Sequence, residues 1–267
     1  QNGEWFMVVL ASRPYGGYYR NLGRETFLVS VSWEDGWPVI NPGKGILEDT
    51  VEGPDLPTFT AEVIPEKEDF DDNKLPYRFL YLRNPKMENY SLYHRKGYLR
   101  MRLAPEKITD LVSPSFVGIR QTGMSYLLET KMEFTPSKSV EEAGLVLLQS
   151  NLYHYRFIMT MRDGLPVLQV IKCFNGEEEV LEQMQVEDAI QHEDIRLRVT
   201  AEEQDLKFTF SYDGKSYHIV KAGVDGRMLS TDVAGGFVGT VLGLYCSSNN
   251  EEVDNYADFD WISYKNL

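Results

Sequence analysis

An all-β fold built around an antiparallel β-sandwich is what this sequence predicts, on three observations. Short runs rich in Val, Ile, Leu, Tyr, Phe and Trp recur along nearly the whole chain. Turn signals such as Glu34-Asp35-Gly36, Arg162-Asp163-Gly164 and Asp213-Gly214 separate them at short spacing. No stretch carries the apolar period of a long amphipathic helix. Many strands with close turns and no long helix indicate a sandwich rather than an α/β fold.

The elements follow in order. Trp5 to Ala11 is a dense apolar run of β-forming residues, suited to a central strand. Ser12 to Leu22, with Pro14, Gly16, Gly17 and three tyrosines, is a long loop or a functional lip. Thr26 to Trp33 is a second strand, and Glu34-Asp35-Gly36 turns the chain into a short third one, Trp37 to Ile40. Three strands alone are only marginally stable in water. Residues 1 to 41 are therefore expected to pack on the rest of the chain, to pair with another copy in a homo-oligomer, or to be a proteolytic remnant. Asn41 to Thr58 is punctuated by Pro42, Gly43, Gly45, Gly53, Pro54 and Pro57, a linker composition. Glu62 to Lys74 reads as a solvated acidic loop.

A second series of strands then begins near Tyr77 to Pro85 and Gly97 to Leu103. It continues through Phe116 to Arg120 and through Ser125 to Phe134, where Leu127, Glu129, Lys131 and Glu133 alternate in part. Ala143 to Gln149 is apolar throughout, so both of its faces are expected to be covered. Tyr153 to Met161 alternates more clearly, and His154 within it is expected to be a packed or half-exposed sheet residue. Val167 to Phe174, Ile195 to Ala201, Leu206 to Tyr212 and Lys215 to Lys221 follow, with Asp213-Gly214 a strong hairpin signal. Phe237 to Tyr245 and Ala257 to Tyr264 look like the closing strands of a concanavalin-like jelly roll.

Composition bounds the function. The chain has 267 residues, 42% hydrophobic and 25% charged, which is ordinary globular usage. Its formal charge is −14, from 27 basic and 41 acidic residues. No Lys/Arg cluster interrupts that charge, which argues against nucleic acid and anionic membrane surfaces as partners. Cys173 and Cys246 read as buried free thiols. No apolar run reaches the length of a membrane span and no signal peptide is visible. Gln1-Asn2-Gly3 turns directly into a strand, so the chain is expected to begin mid-protein, with its compartment open.

Two sets of residues carry a resemblance. The first is Trp5-Phe6-Met7-Val8-Val9-Leu10, Arg13-Pro14, Asn21-Leu22-Gly23-Arg24-Glu25-Thr26 and Trp33-Glu34-Asp35-Gly36-Trp37-Pro38-Val39. It resembles the last blade of glycoside hydrolase family 43 enzymes, of the β-xylosidase/α-L-arabinofuranosidase-like group. The second is Leu82-Arg83-Asn84-Pro85, Tyr90-Ser91-Leu92 and Gly97 to Leu103, similar to the opening of that group's C-terminal sandwich. The resemblance implies a partial blade of a five-bladed β-propeller over 1–41, a linker over 42–58 and a β-sandwich domain over 59–267.

It also implies an activity: inverting removal of xylose or arabinose from hemicellulose oligosaccharides. Such chemistry needs an acid and a base about 6.5–9.5 Å apart, with room for water. By resemblance these carboxylates, and a third that orients the acid, belong to blades preceding the Leu-Gly-Arg-Glu-Thr motif. No catalytic residue is therefore assigned here, and the isolated chain is expected to be inactive without the missing propeller blades. Arg24 resembles the arginine that contacts the sugar and influences the acid's charge state. Phe237, after Gly235-Gly236, occupies the position of a sandwich phenylalanine that reaches the edge of the sugar pocket. Read without the resemblance, Arg24 and Glu25 are ordinary hairpin charges and Phe237 begins a core strand. Glu25 is expected in a structural ion pair.

No cofactor is expected and no metal ligand is assigned: His94, His154, His192 and His218 are dispersed. Calcium is the one candidate ion, at Glu251, Glu252, Asp254, Asp258 and Asp260, should their oxygens converge. The alternative reading is a freestanding carbohydrate-binding or structural sandwich without catalysis.

Overall fold

The computed structural model describes residues 3–186, 192 and 194–267; Gln1 and Asn2 of the expected opening turn lie outside them. The N-terminal part is a three-stranded antiparallel sheet of β1 (Trp5–Ala11), β2 (Glu25–Glu34) and β3 (Trp37–Ile40), in that order. Asp35 and Gly36 both take positive φ, 50° and 79°. Two left-handed residues match the right-handed twist of the strands they join. One face carries buried Val29, with Trp5 edge-on to Trp33 at 5.4 Å. The other leaves Val8 and Leu10 exposed at 67% and 65%.

Residues 46–65 run without regular structure before β4 (Lys67–Glu68). The expected solvated loop over 62–74 is corrected here. Lys67–Glu68 pairs with the last strand, β18 (Tyr256–Asn266), and Phe70 is 1% exposed. The charges flank an apolar plug, and the plug decides the packing.

Two sheets face each other beyond that point. One orders β13 (Glu177–Gln185), β12 (Leu165–Phe174), β11 (Tyr153–Arg162), β10 (Glu142–Ser150), β17 (Val241–Ser247), β8 (Ser115–Arg120) and β5 (Leu80–Tyr81). The other orders β16 (His218–Asp225), β15 (Asp205–Ser211), β14 (Ile195–Glu202), β9 (Tyr126–Glu133), β18, β7 (Leu99–Arg102) and β6 (Tyr90–Ser91), with β4 on β18. Every strand pair is antiparallel. Met101, Phe157, Leu168, Leu197, Phe208, Leu244 and Phe259 fill the space between the sheets. Burying each contributes about 1.5–3 kcal/mol against the cost of ordering the chain.

Four local readings change. Strand β11 buries both faces. Tyr155, Phe157 and Met159 enter the main core, while Ile158 joins a second cluster with Val146, Ile171, Tyr245 and the loop residue Ile108. His154 and Arg156 are covered on that outer side, 0% and 4% exposed. Strand β13 was not legible because Glu177, Glu178, Glu179 and Glu182 mask its pattern. It is an edge strand, and charge along an edge blocks further strand pairing. Asp213-Gly214 does not make a two-residue hairpin. The Asp213 carboxylate accepts from the backbone N–H groups of Lys215 and Ser216, both at 2.8 Å, so the connection is longer and β16 starts later. Finally, β17 starts at Val241, which leaves Phe237 in the preceding loop.

Candidate functional site

The loop of residues 12–24 leaves β1, folds onto the rim of the sandwich and returns into β2. Tyr15 is its plug: it is 6% exposed, and Gln121 Nε2 donates to its hydroxyl at 2.7 Å. Burial raises the phenol's pKa, so it stays neutral. Asn21, 3% exposed, is the hub. Its Nδ2 donates to the Gly226 carbonyl at 2.9 Å, and its Oδ1 accepts from Gln204 Nε2 at 2.8 Å. Its carbonyl accepts from the Thr240 N–H at 2.8 Å. One residue, through its side chain and its carbonyl, thus joins β2's approach to three separate parts of the sandwich.

Beside the hub, Arg20 meets Asp232 in the short helix α1 (Thr231–Ala234). The Arg20 backbone N–H donates to Oδ2 at 2.7 Å and its Nε to Oδ1 at 3.0 Å, with a further guanidinium contact to Oδ1. Hydrogen bonding to Arg20 holds the Asp232 carboxyl below its ordinary range. The pair is solvent-screened and adds geometry more than energy.

Gly23 then pairs with Val238 in an isolated bridge. Its φ is +69°, and a Cβ there would collide with the Gly239 backbone nitrogen. A Cβ on Gly239 would in turn strike the Leu22 carbonyl. Two backbones touch with no side chain between them, which only glycine allows. The next residue on each side is the pair expected from the sequence. The Arg24 guanidinium carbon stands 3.7 Å from the centroid of the Phe237 ring. Phe237 is 68% exposed, in a loop opened by Gly235 and Gly236 at φ 76° and 75°. Stacking occupies one face of the guanidinium and is worth about 0.5–1 kcal/mol at an exposed site. Arg24 forms no ion pair among the described residues. Glu25 does not compete for it, because Arg13 holds Glu25 through two bonds of 3.0 and 2.6 Å. That is the structural ion pair expected of Glu25.

The family profile described as "Beta xylosidase C-terminal Concanavalin A-like domain" matches residues 67–265. The chain belongs to this glycoside hydrolase family 43 domain family. A xylosidase/arabinosidase of Butyrivibrio fibrisolvens is 36% identical over 100% of this chain and 51% of its own length. A non-reducing-end α-L-arabinofuranosidase of Bacteroides ovatus is 34% identical over 100% of this chain and 50% of its own. Among solved structures, a family 43 protein of the Bacteroides ovatus xyloglucan locus superposes with TM-score 0.93 at 32% identity, over 100% of this chain and 52% of that one. A xylan β-1,4-xylosidase of Bacillus halodurans gives TM-score 0.92 at 32% identity, over 99% and 51%. The chain thus spans about half the length of the curated relatives it matches.

Other residues of this family 43 domain are placed elsewhere. Of the acidic residues weighed for calcium, Asp258 binds Arg100 at 2.7 Å and Arg95 at 3.0 Å. Asp260 binds Lys131 at 2.9 Å and Glu251 binds Lys138 at 3.3 Å. These carboxylates diverge onto different cations, which removes the geometry that reading required. Among the described residues no group of three or more His, Cys, Asp or Glu side chains converges on a metal position. Both cysteines are buried and free. Asn21, Asp232, Gln204 and Thr240 escaped sequence reasoning as parts of the site. Asn21 sits within the quoted motif and was within reach; Gln204 and Thr240 bond Asn21, and Asp232 bonds Arg20, only after about two hundred residues of intervening chain.

Proposed function

We propose that this chain supplies the C-terminal share of a glycosidase that removes xylose or arabinose from hemicellulose oligosaccharides by inverting hydrolysis. In this reading residues 1–41 are part of the last propeller blade, 42–58 the linker and 59–267 the sandwich. The observation that carries it is Arg24 stacked on Phe237 across the junction between the small sheet and the sandwich. Stacking uses the π-face of the guanidinium, whereas its N–H donors lie in the plane and stay free. A planar fork held in this way suits the vicinal hydroxyls of a pentose.

Phe237 offers the same sugar an apolar wall and excludes water, which strengthens nearby electrostatics. The acid, the base and the orienting carboxylate belong to blades preceding this segment. The exposed Val8, Leu10 and Leu28 face is where neighbouring blades pack. The sandwich thereby acts as the rim of a pocket whose floor lies in the propeller.

The test uses the complete protein with aryl β-xyloside and aryl α-L-arabinofuranoside. Arg24→Ala and Phe237→Ala should each lower kcat/KM at least tenfold while leaving the fold intact by circular dichroism. Unchanged kcat/KM in both variants would overturn the assignment. Hydrolysis at an enzymatic rate by residues 1–267 alone would overturn the placement of the carboxylates.

A further inference from the structure

A second cleft lies where the segment leading to β4 crosses the end of the sandwich. Its volume is 530 Å³, inside the range of about 300–1,000 Å³ typical of small-molecule sites. Leu80, Ile119 and the Tyr264 ring give it an apolar floor and wall. The Tyr264 hydroxyl is fixed by the backbone N–H groups of Thr122 and Gly123, both at 3.0 Å. Three cations border that floor: Arg78, Arg120 and Lys265.

Their partners decide what the cleft can take. Arg120 and Lys265 hold no ion pair among the described residues. Arg78 is anchored through Nη1 on the Pro65 carbonyl, and its other terminal nitrogen stands 3.7 Å from Glu68. Its Nε is buried without an acceptor. Desolvation lowers its pKa, against the nearby charge of Glu68. In a chain of formal charge −14, three cations around an apolar floor reverse the local sign. The one carboxylate lining the cleft is Glu66. Its oxygens can accept hydrogen bonds from hydroxyl groups. The ligand these groups fit has three properties together: one negative charge, hydroxyl donors, and a flat apolar face.

We propose that this cleft binds the uronic-acid unit of an acidic saccharide. The carboxylate lies between Arg120 and Lys265, ring hydroxyls donate to Glu66, and the C–H face of the ring packs on Tyr264 and Ile119. The cleft is separate from Arg24 and Phe237, none of whose residues line it. Only the choice of a xylose-based probe rests on the proposed function; the cleft itself does not.

Titration calorimetry on the complete protein, with a xylo-oligosaccharide bearing one glucuronic acid, its neutral counterpart and free glucuronate, tests this. The acidic oligosaccharide should bind at least tenfold more tightly than the neutral one, and free glucuronate should bind at the same site. The Arg120→Ala/Lys265→Ala double variant, changed only at the cleft's border, should abolish that preference. Raising salt from 50 to 500 mM should weaken acidic binding and spare neutral binding. Equal affinity for both oligosaccharides, or an acidic preference untouched by the double variant, would overturn the proposal. A preference lost in Arg24→Ala but kept in the double variant would overturn it too, while leaving the rim reading in place. Neutral binding that survives Arg24→Ala, with the acidic preference lost in the double variant, would sink the rim reading and support the cleft.

Discussion

Replacing Asn21 with alanine should undock the loop that carries Arg24. The side chain makes two bonds from a position 3% exposed, to the Gly226 carbonyl at 2.9 Å and from Gln204 at 2.8 Å. Alanine leaves a carbonyl and an amide N–H without those partners where water has little access. Each of the two orphaned groups costs about 1–3 kcal/mol, so the docked state loses roughly 2–6 kcal/mol. The Thr240 bond to the Asn21 carbonyl is a backbone contact and survives the substitution. The loop should therefore open locally rather than unfold the sandwich. Hydrogen–deuterium exchange over residues 15–25 should accelerate by one to three orders of magnitude, with β9 to β12 unchanged. Asn21→Asp makes the test sharper. It keeps the acceptor for Gln204 but points an anion at the Gly226 carbonyl, so it should be at least as damaging as alanine. Unchanged exchange in Asn21→Ala, or an Asn21→Asp protein as well docked as the parent, would refute the hub.

Other consequences can be measured in parallel. Gly23→Ala should break the bridge to Val238, because its φ of +69° and the Gly239 backbone both oppose a side chain; circular dichroism should stay β-rich while, on the proposed glycosidase function, KM of the complete protein rises. Arg156→Ala should cost about 3–5 kcal/mol in urea denaturation, because it strands Glu142, 5% exposed and bound at 2.8 Å, as a buried unpaired charge. Burial, helped by the charge of Arg156, lowers the His154 pKa from 6.5 to about 3. The unfolded chain takes up that proton near pH 6.5 and the native one does not, so stability is lost as pH falls from 6.5 toward 3 and is untouched above. At pH 5 the loss is about 2 kcal/mol, and His154→Phe should flatten the pH dependence of the urea midpoint.

What the sequence made legible follows the range of each interaction. Strand β1 and the Asp35-Gly36 turn were readable because a few adjacent residues decide them, and their limits agree with the expectation. Strand β13 was hidden because its stability comes from the ladder with β12 rather than from its own glutamates. Strand β11 looked half-exposed because a polar residue at 154 or 156 ordinarily marks the wet face. Here the loop holding Ile108 covers that face, and Arg156 is neutralised by Glu142 and Glu178. At the rim, Arg24 and Phe237 could be named through a motif, yet nothing local predicts that they touch. Their contact depends on Arg20 finding Asp232 and on Asn21 finding Gly226, pairings separated by 212 and 205 residues. Phe237 was also open to reading as the start of a core strand, and only the later onset of β17 frees it to face solvent.

The bare meeting of Gly23 with Gly239 limits how freely such proteins can be recombined. A sandwich transplanted onto another N-terminal sheet brings Gly239 with it but not its counterpart. Any residue larger than glycine on the other side would hold the two backbones apart. Segments 20–25 and 226–240 therefore form one transferable unit, and a chimera that splits them should keep both folds while losing the shared rim.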